Sequence, residues 1–260
     1  MMRGLWTAAT GMSAQQSNVS AIANNLANVN TSGFKKSRVN FQDLMYQNLR
    51  NAGVSTSEGS KLPVGVQVGM GTKVISVSKN FQQGDYSHTN NPLDLAIDGR
   101  GFFKVISNNR EVYTRAGSFK TDKDGNIMDS NGSRLQPEFA IPSQATTITI
   151  DSGGKLVATD SSGKELGSVQ LQVYDFLNSA GLQAIGQNYF IPTEASGDPV
   201  EGNPGTDQFG TISQGFLEMS NVDIVEEMVS MIMAQRAYEI SAKAIQTGDE
   251  MLQQVNNLKR

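Results

Sequence analysis

Apolar residues near the amino end of the chain recur at helical spacing. They are Leu5, Ala8, Met12, Val19, Ile22, Leu26 and Val29, in steps of three, four and seven residues. Such steps are typical of a coiled-coil seam, and Gly33 follows where a helix is expected to stop. A shorter pattern of the same kind predicts a second helix after Asn40. Its positions are Phe41, Leu44, Met45 and Leu49.

The carboxyl end carries a matching seam. Its positions are Ile224, Met228, Met231, Tyr238, Ala242, Ile245, Leu252 and Val255. Ser220 to Asp223 fits a capping box before this seam, and Glu226 and Glu227 suit the dipole of the first helical turn. The pattern predicts one long helix over this stretch.

The middle of the chain follows the two-residue period of strands instead. Apolar and polar residues alternate through Leu93, Leu95 and Ile97, and Asp124-Gly125 and Asn131-Gly132 are hairpin turn signals. We therefore expect an α+β fold. It combines a discontinuous domain of paired N- and C-terminal coiled-coil helices (residues 1–45 with 218–260), a connecting segment (46–74) and an all-β domain of short strands (75–217).

The segment between the first helix and the strands has the composition of a linker. Residues 51–71 are rich in glycine and serine, and this composition alone favours a flexible connection.

The amino-terminal seam lies in a stretch without charge, since residues 4–34 contain no Asp, Glu, Lys or Arg. A surface helix usually shows water a charged face, so this helix is expected to be surrounded by protein. Burying its seam yields roughly 10–20 kcal/mol, whereas ordering its backbone costs about 25–50 kcal/mol. We therefore predict that both ends order only on assembly with other copies. The alternative is an intramolecular coiled coil that closes a monomeric core.

Composition removes several classes of function. The chain has no cysteine, a single histidine and a formal net charge of -4, which disfavours zinc sites, disulfide scaffolds and nucleic-acid binding. No apolar run is long enough to span a membrane, and the first residues do not form a secretory signal peptide.

Each motif that could carry chemistry is explained better by a structural role than by metal binding or catalysis. Asp122-Lys-Asp-Gly-Asn126 opens like a calcium loop, but its glycine is misplaced and no glutamate follows at the twelfth position. His88 is expected in a solvated loop. Asp94 and Asp98 share a strand face without a histidine or metal partner. We therefore expect no catalytic residue, no metal and no cofactor.

Four blocks along the chain carry a family resemblance. They are Asn24-Asn-Leu-Ala-Asn-Val-Asn-Thr-Ser-Gly-Phe-Lys35, Ala96-Ile-Asp-Gly-Arg-Gly-Phe-Phe103, Tyr113-Thr-Arg-Ala-Gly-Ser-Phe119, and Ser220 to Lys243 with Ala234-Gln-Arg-Ala-Tyr238. In this order, over essentially the whole chain, they resemble the bacterial flagellar basal-body rod and hook family. Within that family, the chain resembles the distal-rod members most. It is similar to them in total length, in its single β domain and in the segment Tyr46 to Gly71.

The resemblance implies a structural subunit of a rigid helical tube that transmits torque and conducts exported subunits. Implied partners are other copies of the chain, proximal rod proteins, the hook protein or its junction, ring proteins of the peptidoglycan and outer membrane, and the type III export apparatus. The implied place is the periplasmic rod, reached without a cleaved signal peptide. The resemblance also implies that the segment Tyr46 to Gly71 is an ordered packing element rather than a linker.

The expected subunit interface comprises both seams, the turn from Asn24 to Phe34 (the asparagine turn) and the segment from Tyr46 to Gly71 (the inserted segment). Its residues are Leu5, Met12, Val19, Ile22, Asn24, Asn25, Leu26, Asn28, Val29, Gly33, Phe34, Tyr46, Leu62, Pro63, Ile224, Met228, Met231, Tyr238, Ala242, Ile245, Leu252 and Val255.

Three alternatives stay open at this point. The first is another axial member of the family, a proximal rod or hook subunit. The second is a peptidoglycan-acting enzyme that uses Asp94 or Asp98. The third is a monomeric binding module on a closed helical stalk.

Overall fold

A computed structural model describes residues 2–51, 64–206 and 208–258. The chain forms two compact units, both of them discontinuous in sequence. The first contains residues 2–26, the described part of 37–78, and 223–258, and the second contains 27–36 and 79–222. The described residues form two long helices and many short strands, so the predicted α+β class is confirmed.

Both helices and four strands lie in the described part of the first unit. Their bounds are α1 Met2–Ala27, β1 Ser37–Asp43, β2 Tyr46–Arg50, β3 Val66–Gly69, β4 Thr72–Lys79 and α2 Ile224–Leu258. Strand β1 pairs with β4, and β2 pairs with β3. Much of residues 46–74, which we placed in a connecting segment, therefore lies in the same unit as the helices.

The second helix predicted over Phe41 to Leu49 is wrong. Phe41 lies in β1, which pairs with β4. Leu49 lies in β2, which pairs antiparallel with β3. Four apolar residues over nine positions fit a helix and a pair of strands about equally well. Backbone hydrogen bonds to β3 and β4 decide the outcome, and these strands lie too far along the chain to show in the local pattern.

The cap of α2 also differs from the prediction. The Asp223 Oδ1 accepts hydrogen bonds from the backbone nitrogens of Val225 at 2.8 Å and Glu226 at 3.0 Å. Asp223 is therefore the N-cap residue, and Ser220 does not serve in a capping box. The start of the helix at Ile224 agrees with the predicted seam.

The second unit is the all-β part. Its strands are β5 Tyr86–His88, β6 Leu95–Asp98, β7 Phe103–Ser107, β8 Arg110–Thr114, β9 Phe119–Thr121, β10 Ile127–Asp129, β11 Arg134–Leu135, β12 Thr147–Ile150, β13 Lys155–Thr159, β14 Glu165–Gln170, β15 Val173–Asp175, β16 Gln183–Gly186, β17 Tyr189–Ile191, β18 Val200–Gly202, β19 Thr211–Gln214 and β20 Phe216–Glu218. Its largest sheet has the strand order β16-β17-β8-β7-β11-β10-β9, and β12, β13 and β14 form a second sheet.

Two clusters form the core of this unit. The larger cluster is mostly aliphatic and draws on strands β6 to β19, with Leu95, Val105 and Leu156 among its members. The smaller cluster is aromatic. Its buried members are Phe102, Tyr113, Tyr174, Phe176 and Phe190. Their rings meet edge to face, the usual geometry for aromatic pairs.

The same type of aspartate–glycine turn occurs four times among the described residues of the β unit. The backbone nitrogens of Gly125, Gly132, Gly154 and Gly163 donate to the carbonyls of Asp122, Asp129, Asp151 and Asp160. All four glycines have a positive φ, between 77° and 81°, which a side chain would strain. Asp122 thus opens a tight turn, as expected, rather than a calcium loop.

Candidate subunit interface

The helices of the first unit run antiparallel. A Cβ atom on Gly248 would lie 2.5 Å from Leu5 Cδ2, and one on Gly11 would lie 3.6 Å from Ser241 Oγ. At the other end of the pair, Asn25 Nδ2 lies 3.1 Å from Glu227 Oε2. Residue numbers rise along α1 as they fall along α2. The predicted pairing of the terminal helices is therefore present within one chain.

A row of mostly small residues lines the contact face of α2. Glu227, Ala234, Ser241 and Gly248 follow one another at seven-residue spacing, and the side chains of Glu227 and Ala234 are buried. Small side chains let two helices approach closely. This row was missed because a search for large apolar residues passes over Ser and Gly, although the same heptad period would have found it.

The residues of the predicted seams divide by exposure. Ile22 is buried, and Ile224, Met228, Tyr238 and Val255 are exposed. The half-buried members are Leu5, Met12, Val19, Leu26, Val29, Met231, Ala242, Ile245 and Leu252. Within one chain, therefore, half of the α2 seam remains exposed, whereas every residue of the amino-terminal seam is at least half-buried.

A second apolar row lies on α2 beside the predicted one. Its members Val225, Val229, Ile232, Met233 and Ile240 are all exposed. With the exposed Met228, they lie 3, 4, 7, 8 and 15 residues after Val225, so they share one side of the helix. Because α1 covers only one face, α2 presents large apolar side chains to solvent over much of its length. Large exposed apolar patches usually mark interaction sites.

An open groove lies between the two helices. It has a volume of about 470 Å³ and is lined by Gln16, Val19, Ser20, Gln235, Tyr238 and Glu239. Val19 and Tyr238 supply its apolar lining, and the other four side chains are polar.

Asn25 connects the asparagine turn to other elements of the first unit. Its side chain is buried and makes three hydrogen bonds. Nδ2 donates to the Ser37 carbonyl at 2.9 Å and to Glu227 Oε2 at 3.1 Å, and Oδ1 accepts from the Ser37 nitrogen at 2.8 Å. One amide therefore joins α1, β1 and α2. Asn24, its neighbour, is exposed.

The rest of the turn belongs to the second unit. Asn28 accepts a bond from the Thr31 nitrogen through its carbonyl at 3.1 Å. Gly33 has φ +69°, and a Cβ atom there would lie 2.5 Å from the Ala116 nitrogen. Phe34 is buried, with Lys79 Nζ 4.6 Å from its ring centroid. Glycine is required at position 33 by both its dihedral angle and its close contact.

A buried ionic network follows directly after this turn. Lys35 Nζ donates to Glu218 Oε1 at 2.6 Å and to the Gln82 carbonyl at 2.7 Å, and neither ionic side chain has any solvent exposure. Arg115 Nη1 lies 3.4 Å from the other Glu218 oxygen, and its Nη2 donates to the Gly99 carbonyl at 2.7 Å. These bonds hold residues 27–36 within the β unit.

Burial sets the electrostatics of this network. It lowers the pKa of Lys35 and of Arg115, because a buried cation loses hydration, while Glu218 raises both. Two cations share one carboxylate, so removing Glu218 would leave two uncompensated buried charges. The network was missed in the sequence because Lys35, Arg115 and Glu218 are far apart along the chain. Lys35 and Arg115 do lie in two of the sequence blocks that resemble the rod and hook family.

The inserted segment begins and ends in described structure. Strands β2 and β3 form an antiparallel pair in which Tyr46 lies opposite Gly69. Tyr46 is exposed, and the Asp43 carboxylate raises its pKa through a hydrogen bond. Leu62 and Pro63, which we expected at the interface, lie outside the described residues.

The residues with possible chemistry do not converge on a site. Asp94 is buried and accepts from Asn91 Nδ2 at 3.0 Å, whereas Asp98 is exposed. His88 lies in β5 rather than in the expected loop, and its ring is 4.9 Å from that of Phe216. Within residues 2–51, 64–206 and 208–258, no cluster of His, Cys, Asp and Glu could hold a metal ion.

Neither helix could cross a membrane. Over the part of the chain that the structure describes, α1 and α2 both lack an apolar stretch long enough to do so.

Three family descriptions match separate parts of the chain. "Flagella basal body rod protein" matches residues 5–35, which hold α1 and the asparagine turn. "Flagellar hook protein FlgE/F/G D1 domain" matches residues 96–158 of the β unit. "Flagellar basal body rod FlgEFG protein C-terminal" matches residues 213–258, which include α2. Together they define the class of the chain as an axial protein of the bacterial flagellum.

Full-length relatives narrow the class. The chain is 49% identical to the flagellar basal-body rod protein FlgG of Borreliella burgdorferi over the whole of both chains. It is 46% identical to FlgG of Caulobacter vibrioides over 99% of this chain and all of that one. It is 38% identical to FlgG of Bacillus subtilis over both full lengths. The chain belongs to the flagellar basal-body rod protein family and is a structural rod subunit of the flagellum.

Proposed function

We propose that the chain is a subunit of the distal rod, where it assembles with its own copies into a rigid helical tube. The tube transmits torque and conducts exported subunits through its centre. The observation that carries this proposal is the second apolar row on α2, because a subunit of a polymer needs a helix face that its own chain leaves open.

The energetics favour covering this row. Val225 is 71% exposed, Met233 62% and Ile240 68%. Burying one such side chain fully contributes about 1.5–3 kcal/mol, so covering the row contributes several kcal/mol per subunit. Association costs roughly 4–15 kcal/mol in lost freedom. Contacts with several neighbours in a helical lattice would offset this cost, whereas a single weak dimer contact would not.

The surroundings of the rod supply the further partners. We propose that the chain meets proximal rod proteins, the hook protein or its junction, and ring proteins of the peptidoglycan and outer membrane. We place it in the periplasm, after type III export without a cleaved signal peptide. The absence of cysteine suits export of an unfolded chain, since no disulfide can form on the way.

We further propose that the chain is not an enzyme. Its relatives carry the name of a rod protein. Asp94, the carboxylate considered for catalysis, is held by Asn91, and its backbone carbonyl accepts from the Gly215 nitrogen. A buried side chain that fixes a turn has a structural role that accounts for its presence.

Charge substitutions on α2 test the self-assembly. Ile232→Asp and Ile240→Asp place a carboxylate in the open apolar row, and Gln246→Asp places one on an exposed polar position of the same helix. In a host without its own gene, we expect the two apolar-row variants to abolish completed flagella and Gln246→Asp to retain them. Normal flagella in both apolar-row variants would contradict the proposal.

A further inference from the structure

The exposed strand pair of the first unit forms an arm. We define the arm as β2 and β3, Tyr46–Arg50 and Val66–Gly69. Every residue of β2 is exposed, including the apolar Tyr46 and Leu49. An isolated two-stranded pair is marginal in water, so the direction of the arm must be set where it joins the rest of the unit.

The base of the arm is closed by backbone and side-chain bonds. The Leu44 nitrogen donates to the Gly71 carbonyl at 2.8 Å, and Thr72 Oγ1 donates to the Gln42 carbonyl at 3.0 Å. Gly71 itself has φ +110°. The chain therefore enters and leaves the arm beside one glycine in a conformation that other residues rarely adopt.

Gly71 packs directly against α1. A Cβ atom on Gly71 would overlap Thr10 Oγ1, and it would lie 3.3 Å from Thr10 Cβ and 3.4 Å from Thr7 Cα. Thr10 Oγ1 donates to the Thr7 carbonyl at 2.9 Å and lies 3.4 Å from the Thr72 nitrogen. The hydroxyl is thus held in place, and no room exists for a side chain at position 71.

We propose that the contact of Gly71 with Thr10 fixes the direction in which the arm leaves α1. In an assembly of paired helices, this contact determines where the arm meets a second copy of the chain. This inference rests on the self-assembly proposed above. A larger residue at position 71 would push the base of the arm away from the helix and misplace its apolar residues.

A relief experiment tests the contact. Gly71→Ala, Thr10→Ala, the double variant and the control Gly163→Ala are each expressed in a host without its own gene. Gly163 has φ +77° with nothing within 4 Å of a Cβ atom, so its variant carries the dihedral strain without the overlap. We expect Gly71→Ala to lower the number of completed flagella per cell by about tenfold, the factor for 1.4 kcal/mol, and Gly163→Ala to leave it unchanged.

The double variant decides the matter, because Thr10→Ala removes the oxygen that the new Cβ would strike. We expect it to recover most of the flagella lost in Gly71→Ala. No loss in Gly71→Ala, or no recovery in the double variant, would overturn the proposal. If the unchanged gene fails to restore flagella to the same host, the proposed rod function is what fails.

Discussion

Asn25 and Glu227 are 202 positions apart in the sequence, yet the Asn25 amide donates to the Glu227 carboxylate at 3.1 Å. The same amide makes two bonds to the backbone of Ser37. A single buried side chain therefore ties the asparagine-rich end of α1 to the first turn of α2. Asn25 therefore joins the two ends of the chain.

We predict that Asn25→Ala weakens the helix pair in assembled rods. The change removes three hydrogen bonds at a buried position, and each such bond contributes about 0.5–1.5 kcal/mol. The expected result is a lower temperature at which isolated basal bodies lose their rods, as seen by electron microscopy. Ser13→Ala, an exposed change on the same helix, should leave that temperature unchanged. Equal temperatures for Asn25→Ala and the unchanged chain would show that the amide is dispensable.

We predict that Lys35→Met destabilises the β unit by about 3–5 kcal/mol, because it leaves Glu218 buried without its closest partner. Lys104→Met is a matched control. Lys104 and Glu111 also lie 2.6 Å apart, but with side chains 18% and 59% exposed, and such pairs contribute about 0–1 kcal/mol. Urea unfolding followed by tyrosine fluorescence gives both free energies. Similar losses for the two lysines would contradict the role assigned to the buried network.

We predict that stability falls in alkali. Burial raises the pKa of Tyr86, Tyr113, Tyr174 and Tyr189 above the usual value. Near pH 10 and above, these tyrosines ionise more readily in the unfolded chain than in the folded one, so the unfolded chain binds fewer protons there. Because stability then decreases with rising pH, the urea midpoint should be lower at pH 11 than at pH 9.

Absorbance of tyrosinate provides the check on this cause. At pH 11, adding urea should raise the tyrosinate absorbance as the buried rings become exposed. Tyr113→Phe removes one of these groups and should reduce the fall in midpoint between the two pH values. Tyrosinate absorbance at pH 11 that does not rise when urea is added would show that burial does not hold these phenols neutral.

The sequence predicted the elements whose signals are local. The heptad spacing of Leu5 to Val29 and of Ile224 to Val255 located both helices, and glycines such as Gly125 and Gly132 located the turns. It failed over Phe41 to Leu49, where a short apolar pattern fits two structures and distant strands choose between them. It also missed the join of Lys35 to Glu218, since only folding brings these residues together.

We predict that the helix pair is ordered by assembly rather than by the single chain. Helix α1, which has no charged residue after Arg3, and the second apolar row on α2 both leave burial to be completed by other copies. Far-UV circular dichroism of the dilute chain should show clearly less helix than two helices of 26 and 35 residues require. Full helix content together with protease-resistant ends would favour the closed monomeric stalk.

The most direct test of the rod function is cryo-electron tomography of a flagellated host that lacks this gene. The account predicts a rod that stops short within the periplasm, with no hook or filament outside, and a complete rod when the unchanged gene is restored. Complete flagella in the host without the gene would contradict the claim that this chain builds the distal rod.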